Sequence, residues 1–215
     1  MATLGRPSCF RKELVTVTVL ICAMVAFLLG SVPFALWLSR LTLRVDIRRY
    51  GDSNPGAANA WRAGGWRVGL PGALLDYSKG AVPVAIAHYS LGVSRWALAP
   101  VALAPVVGHA FSPFLRGRGG KAVAATFGIW SALISLAGVL TMGITMGFFW
   151  ALQKADGWST VLGLGGLLTY LLVFAPHPYL LVIWTVDTGV VTWKHRRDLR
   201  EPVRLRAFWL PERAH

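Results

Sequence analysis

The sequence predicts an all-α fold, an integral membrane bundle of about seven transmembrane helices with the amino terminus outside and the carboxyl terminus in the cytoplasm. Three observations lead there. Of the 215 residues, 55% are hydrophobic and 14% are charged, where a soluble domain carries about a quarter charged; mean hydropathy is +0.54. The apolar residues gather in runs of spanning length, punctuated by charge, Gly and Pro. The 22 Lys and Arg outnumber 9 acids, and sixteen of them fall in three clusters between or after the runs. This composition excludes a disordered chain and a disulfide scaffold. Because the cations lie where topology needs them and no recognition motif accompanies them, no nucleic-acid partner is expected.

The elements follow in order. The first apolar run, Leu14 to Leu29, has Arg11 and Lys12 before it as a secretory signal would. It continues through Ser31, Pro33 and Trp37 to Arg40 without an Ala-x-Ala site, so it reads as one retained helix. Six further spans are expected at 69–91, 96–115, 122–137, 138–153, 159–174 and 178–193. The uncharged stretch from Ala122 to Leu152 is resolved by charge parity. The clusters at Arg40–Arg67, at Arg116, Arg118 and Lys121, and from Lys194 onward must all be cytoplasmic, which requires an even number of crossings between the last two and hence a break near Gly138. Residues 1–193 then form one transmembrane domain and 194–215 a short basic cytoplasmic tail able to rest on anionic headgroups. Cys9 and Cys22 have no companion ligand, so neither a metal nor a bridge is expected.

Chemistry is concentrated in the cytoplasmic segments. In the first loop, Gly51-Asp52-Ser53-Asn54-Pro55-Gly56-Ala57-Ala58-Asn59 combines small residues with two turn-forming amides ahead of a helix, among Arg48, Arg49 and Arg62. That pattern suits a phosphate cradle, and it also suits an ordinary turn between two membrane helices. Asp76 and Lys79 share a helix face inside a span, either as a structural ion pair or facing substrate. After Gly108-His109, the run Arg116-Gly117-Arg118-Gly119-Gly120-Lys121 places cations and flexible backbone at a predicted helix start. It is not a nucleotide P-loop, because Leu115 and Ala122 occupy the positions where that motif needs Gly and Ser or Thr. His109 alone suits an interior histidine. His195 and Asp198 follow the last span three apart, on one face if the helix continues, so that the carboxylate could orient the imidazole or hold a substrate hydroxyl. No His is followed by Asp after four intervening residues, which disfavours the common thioester-using glycerolipid acyltransferases.

The ordered set Gly30-Ser31-Val32-Pro33-Phe34, Asp46-Ile47-Arg48, Asn54-Pro55-Gly56-Ala57 with Asn59 and Arg62, Asp76 with Lys79-Gly80, Gly108-His109 and Gly119-Gly120-Lys121 resembles the bacterial acyl-phosphate:glycerol-3-phosphate acyltransferase family over residues 28–128. The resemblance implies transfer of a fatty acyl group from acyl phosphate to the 1-hydroxyl of glycerol 3-phosphate, giving lysophosphatidate and inorganic phosphate in phospholipid synthesis. It implies no cofactor and no metal, a cytoplasm-facing site in the bacterial inner membrane, and membrane lipids as neighbours. It assigns Gly51, Asp52, Ser53, Asn54, Gly56, Ala57 and Asn59 to the donor phosphate, with Gly119 and Gly120 in the same substrate-binding set. Arg62 and Lys121 fall to the phosphate of glycerol 3-phosphate, and His195 and Asp198 to the acceptor. The donor is already a mixed anhydride, so no Ser or Cys nucleophile is needed.

The chain departs from the family's pattern in four places. Asp52-Ser53 stands where Ser-Gly is usual, Ala58 replaces Thr, Ala122 replaces Gly, and Asp198 replaces Asn. An aspartate beside a phosphate repels it unless an Arg pairs it or its carboxylate points away. A second reading, a small transporter or lipid-binding protein diverged from that family, rests on Asp76, Lys79 and Asp187 within Gly- and Pro-broken helices.

Overall fold

A computed structural model describes residues 8–206, with side chains from residue 12; the end of the basic tail and the Cys9 side chain lie outside the described residues. The expected apolar stretches each hold a helix: α1 (Ser8–Ser31) and α2 (Phe34–Leu43), then α4 (Trp66–Ala85), α5 (Leu98–Ala110), α6 (Val123–Leu133), α7 (Leu136–Leu152), α8 (Asp156–Phe174) and α9 (Pro178–Lys194), while a short helix, α3 (Ala57–Gly64), follows the first loop. Three stretches have the length and apolarity of a membrane span by themselves, Lys12–Leu43, Arg95–Leu115 and Asp156–Phe174.

Two expected boundaries are corrected. The first run is broken at Val32-Pro33, because proline supplies no N–H and disfavours helical geometry in the residue before it. The break in the uncharged stretch falls at Ile134-Ser135, both extended, four residues before Gly138. Gly138 lies inside α7, where its bare Cα packs on Ile134 and the Tyr170 ring, and Ser135 Oγ meets Tyr170 Oη at 2.7 Å. The glycine serves close packing and the serine side chain leaves the helix. At the other side, Pro83 removes a donor from the last turn of α4, which widens into a π turn at Ile86–Ser90.

The outer surface is apolar, and polar side chains are buried within an otherwise apolar core. Along α1, Leu14, Val17, Leu20, Ile21, Met24 and Leu28 are exposed, whereas Ser31, Asp76, Lys79, His109, Thr126, Ser159 and Asp187 are buried. That inversion suits a hydrocarbon solvent, in which buried polar groups must satisfy each other. Helices approach closely through small residues: Gly30 and Gly108 join α1 to α5, and Gly80 and Gly128 join α4 to α6 with backbone against backbone.

Asp187 is fully buried on α9, its two carboxylate oxygens accepting from Thr126 Oγ1 and Trp130 Nε1 of α6, each at 2.9 Å. It clamps two helices and pairs with no cation among the described residues. Asp187→Leu strands both donors and is expected to cost about 2–4 kcal/mol, read as lowered thermal stability in detergent. Asp187→Asn keeps an acceptor and should lose less; equal losses would contradict the clamp.

Candidate active site

Asp46 accepts from the Arg48 backbone N–H at 3.0 Å and from the Arg40 and Arg48 guanidinium groups at 2.7 and 2.6 Å, fixing the entry to the first loop. These contacts hold its carboxyl well below the usual carboxylate range, the Arg48 hydrogen bond leading. Beyond it the backbone enters the left-handed region at Gly51 and Ser53, with φ of +51 and +62°. A side chain at Gly51 would run into Asn59 and Arg62, so this turn requires glycine.

Buried Asn59 organises the loop. Its Nδ2 donates to Asp52 Oδ1 and to the Asn54 carbonyl, both at 2.9 Å, and its Oδ1 accepts from Arg62 Nη1 at 2.6 Å. One amide therefore positions the acid and the arginine together. Gly56 caps α3, and the first N–H groups of that helix, without intrahelical acceptors, are carried by cavity-lining Ala57 and Ala58.

The second segment reaches the same place by close packing. The Gly120 N–H donates to the His109 carbonyl at 3.0 Å, and a Cβ at Gly119 or Gly120 would collide with His109 or Ala110. Lys194 Nζ ties this stretch to α9, donating to the Ala110 and Gly119 carbonyls at 2.8 and 2.9 Å. Ala122 adopts φ +65°, a left-handed turn that launches α6 and leaves Lys121 facing the first loop.

Lys121 Nζ sits 2.5 Å from both Asp52 Oδ2 and Asp198 Oδ2. Burial works against charge on Lys121, but the hydrogen bonds and charges of Asp198 and Asp52 outweigh it and raise its pKa. Burial likewise works to raise the Asp52 pKa, and Lys121 prevails and lowers it. The aspartate that the sequence placed awkwardly in a phosphate loop is thus paired by a cation, with a lysine rather than an arginine as partner.

Asp198 does not orient His195 along a shared helix face. α9 ends at Lys194, and the chain turns so that Asp198 opens a short 3-10 turn and reaches Lys121. The His195 ring is instead held by its own helix, Nδ1 lying 2.8 Å from the Val191 carbonyl. A carbonyl only accepts, so Nδ1 carries the proton and Nε2 keeps its lone pair. Burial pushes the His195 pKa below 6.5, so the ring is neutral at neutral pH.

These groups surround a cavity of about 360 Å3 lined by Asp52, Asn54, Gly56, Ala57, Arg62, Lys121 and His195. The sequence reading missed Asp156 and Thr160 of α8, which line it with Phe127, and treated His109 as an interior residue although it lines the cavity too; Asp76, for which a structural ion pair and a place facing substrate were both open, also lines it. Asp156 stood outside the span expected to begin at 159, so nothing in the local pattern marked it. Lys194, read as part of a basic tail, is a structural tie. Asp76 keeps its ion pair, with Lys79 Nζ 2.8 Å away and donating also to the Val32 carbonyl at 2.7 Å. Ser53, Gly51, Asn59, Gly119 and Gly120 support the site without lining it, and Asp198 enters it through Lys121. Arg116 and Arg118, expected beside Lys121, line a different groove.

A helix bundle that brings Arg62, Lys121 and a neutral imidazole around one cavity has the charge to hold anionic substrates and a group able to accept a proton, as an acyl-transfer enzyme needs. The family described as glycerol-3-phosphate acyltransferase matches residues 20–204, and the chain belongs to it. It is 36% identical over 190 residues to glycerol-3-phosphate acyltransferase 1 of Thermotoga maritima, covering 82% of this chain and 93% of that one. Identity to the glycerol-3-phosphate acyltransferase of Anaeromyxobacter is 37% over 199 residues, 88% of this chain and 95% of the relative. The crystal structure of PlsY (YgiH), an integral membrane glycerol 3-phosphate acyltransferase in its glycerol 3-phosphate form, superposes with a TM-score of 0.77 at 30% identity, covering 84% of this chain and 90% of that one. Its lysophosphatidic acid form gives 0.74 at 29% identity, covering 84% and 89%.

Proposed function

We propose that the chain transfers a fatty acyl group from acyl phosphate to the 1-hydroxyl of glycerol 3-phosphate, at the cytoplasmic face of a bacterial cell membrane crossed seven times from an outside amino terminus. The observation that carries this reading is Lys121, held between the first loop and the segment after the last helix at a cavity shared with Arg62 and His195. PlsY, the structural relative, was crystallised in glycerol 3-phosphate and lysophosphatidic acid forms, which suits a cavity of this charge and size.

In this account the donor phosphate rests on the small-residue loop and the start of α3, while Arg62 and Lys121 hold the phosphate of the acceptor. The entering phosphate takes the place of a carboxylate on Lys121. His195 Nε2 accepts the proton of the 1-hydroxyl as its oxygen bonds to the acyl carbon. The bond from that carbon to the phosphate oxygen breaks, and inorganic phosphate leaves with the electron pair and takes the proton from His195. Residues 1–193 supply the membrane domain, and the segment after it supplies His195 and Asp198.

Purified protein given palmitoyl phosphate and glycerol 3-phosphate should release inorganic phosphate and lysophosphatidate in equal amounts, and neither with palmitoyl-CoA. Product from palmitoyl-CoA, or none from well-folded protein with acyl phosphate, would overturn the reading.

The buried imidazole makes a pH prediction. Because burial lowers the His195 pKa from the ordinary imidazole value, kcat/KM should decline on the acid side with a midpoint below that value, and the limb should vanish in His195→Gln. The unfolded chain takes the proton more readily than the folded one, so stability also falls as pH drops below 6.5. A wild-type acid limb at or above 6.5 would contradict a neutral, buried base.

A further inference from the structure

The second basic cluster of the sequence divides in space. Lys121 turns into the cavity, whereas Arg116 and Arg118 face a separate groove of about 450 Å3 that they line with Arg40, Arg48, Phe114 and Leu115. Four guanidinium groups meet there. One carboxylate, Asp46, serves Arg40 and Arg48. The Arg116 and Arg118 side chains have no hydrogen-bond or ion-pair partner among the described residues, which leaves the groove strongly positive.

Its position is set by the helices. Two membrane-spanning stretches, Lys12–Leu43 and Arg95–Leu115, end at this groove, so it stands where hydrocarbon gives way to water. Its rim is aromatic: Trp37 and Phe114 are 42% and 52% exposed and meet edge to face with ring centroids 5.8 Å apart. Tryptophan settles at the headgroup level of a bilayer, and Phe114 packs against it. A free phosphate would use the arginines and leave the aromatic rim without a role; a phosphate carrying acyl chains uses both.

We infer that this groove binds the headgroup of an anionic glycerophospholipid, with the phosphate on Arg116 and Arg118 and the chains against Trp37 and Phe114. Guanidinium suits a phosphodiester because its planar donors take two oxygens at once. The site is separate from the catalytic cavity, since none of its arginines lines that cavity.

The test is lipid retention by the purified full chain in neutral detergent, read by native mass spectrometry with added phosphatidylglycerol or phosphatidylcholine. The wild type should retain phosphatidylglycerol in preference. Arg116→Gln/Arg118→Gln should lower the bound-to-free ratio about tenfold or more, while its gel-filtration profile stays that of folded protein. The charge-matched control Arg67→Gln/Arg95→Gln, at exposed positions away from the groove, should change the ratio little, and Arg116→Lys/Arg118→Lys should keep most of it. Equal losses in the test and control variants would show diffuse attraction and overturn the site. So would equal retention of phosphatidylcholine. Displacement of the lipid by millimolar inorganic phosphate would assign the groove to free phosphate instead.

Discussion

Lys121→Ala is expected to lower kcat/KM for acyl transfer about 1,000-fold while the protein still inserts and folds. The size of the effect follows from what the lysine stands between. Its Nζ is 2.5 Å from a carboxylate oxygen of Asp52 and of Asp198, and without it two acids face an incoming phosphate with no cation paired to either. The loss therefore combines a missing phosphate ligand with new repulsion. The repulsive part is separable: Asp198→Asn introduced into Lys121→Ala should recover about tenfold, because one like charge is removed. A scaffold role for Lys121 predicts no such recovery, since the second substitution takes away another polar contact. Rates of lysophosphatidate formation by the three variants, beside their thermal stabilities, decide the matter.

Arg62→Ala should act differently, raising the KM for glycerol 3-phosphate about 100-fold with a smaller change in kcat. Arg62 is exposed on α3 and its side chain donates to Asn59 Oδ1, so removing it costs the fold little. What is lost is a charged donor at the cavity mouth, a binding contribution common to ground and transition states. Arg62→Lys should recover only part of the affinity, because a point charge cannot make the same paired contact. A fall in kcat at unchanged KM would move Arg62 from holding the acceptor to stabilising the reacting centre.

Much of this architecture was legible in the sequence because lipid imposes simple rules. Spanning runs located the apolar helices apart from the division of the first run into α1 and α2, and charge parity called for a break in the uncharged stretch from Ala122 to Leu152. The break itself, at Ile134-Ser135 rather than Gly138, was hidden because a glycine in a membrane helix serves packing as readily as termination, and here it meets Tyr170. Pro33, by contrast, carried a visible signal that the apolarity of the run masked.

Most residues that gather around the cavity were legible as a list, and the contacts among them were not. The loop from Gly51 to Asn59, Arg62, Lys121 and His195 do converge, yet Asp52 and Asp198 pair with one lysine across segments 69 and 77 positions away in sequence. The helical spacing of His195 and Asp198 suggested contact between them. It failed because α9 ends at Lys194, where the Lys194 side chain is drawn to the Ala110 and Gly119 carbonyls. Likewise the cluster Arg116, Arg118 and Lys121 looked like one patch in sequence. The close approach of Gly119 and Gly120 to His109 turns the lysine inward and leaves the arginines on another face.

The central claim is that acyl transfer occurs directly between two anionic substrates held together in one cavity, without an acyl-enzyme. Initial rates measured with palmitoyl phosphate and glycerol 3-phosphate varied against each other test it most directly. Direct transfer gives intersecting double-reciprocal lines and no acyl label on the protein when glycerol 3-phosphate is omitted. Parallel lines, with the label retained on the protein after denaturation, would contradict it.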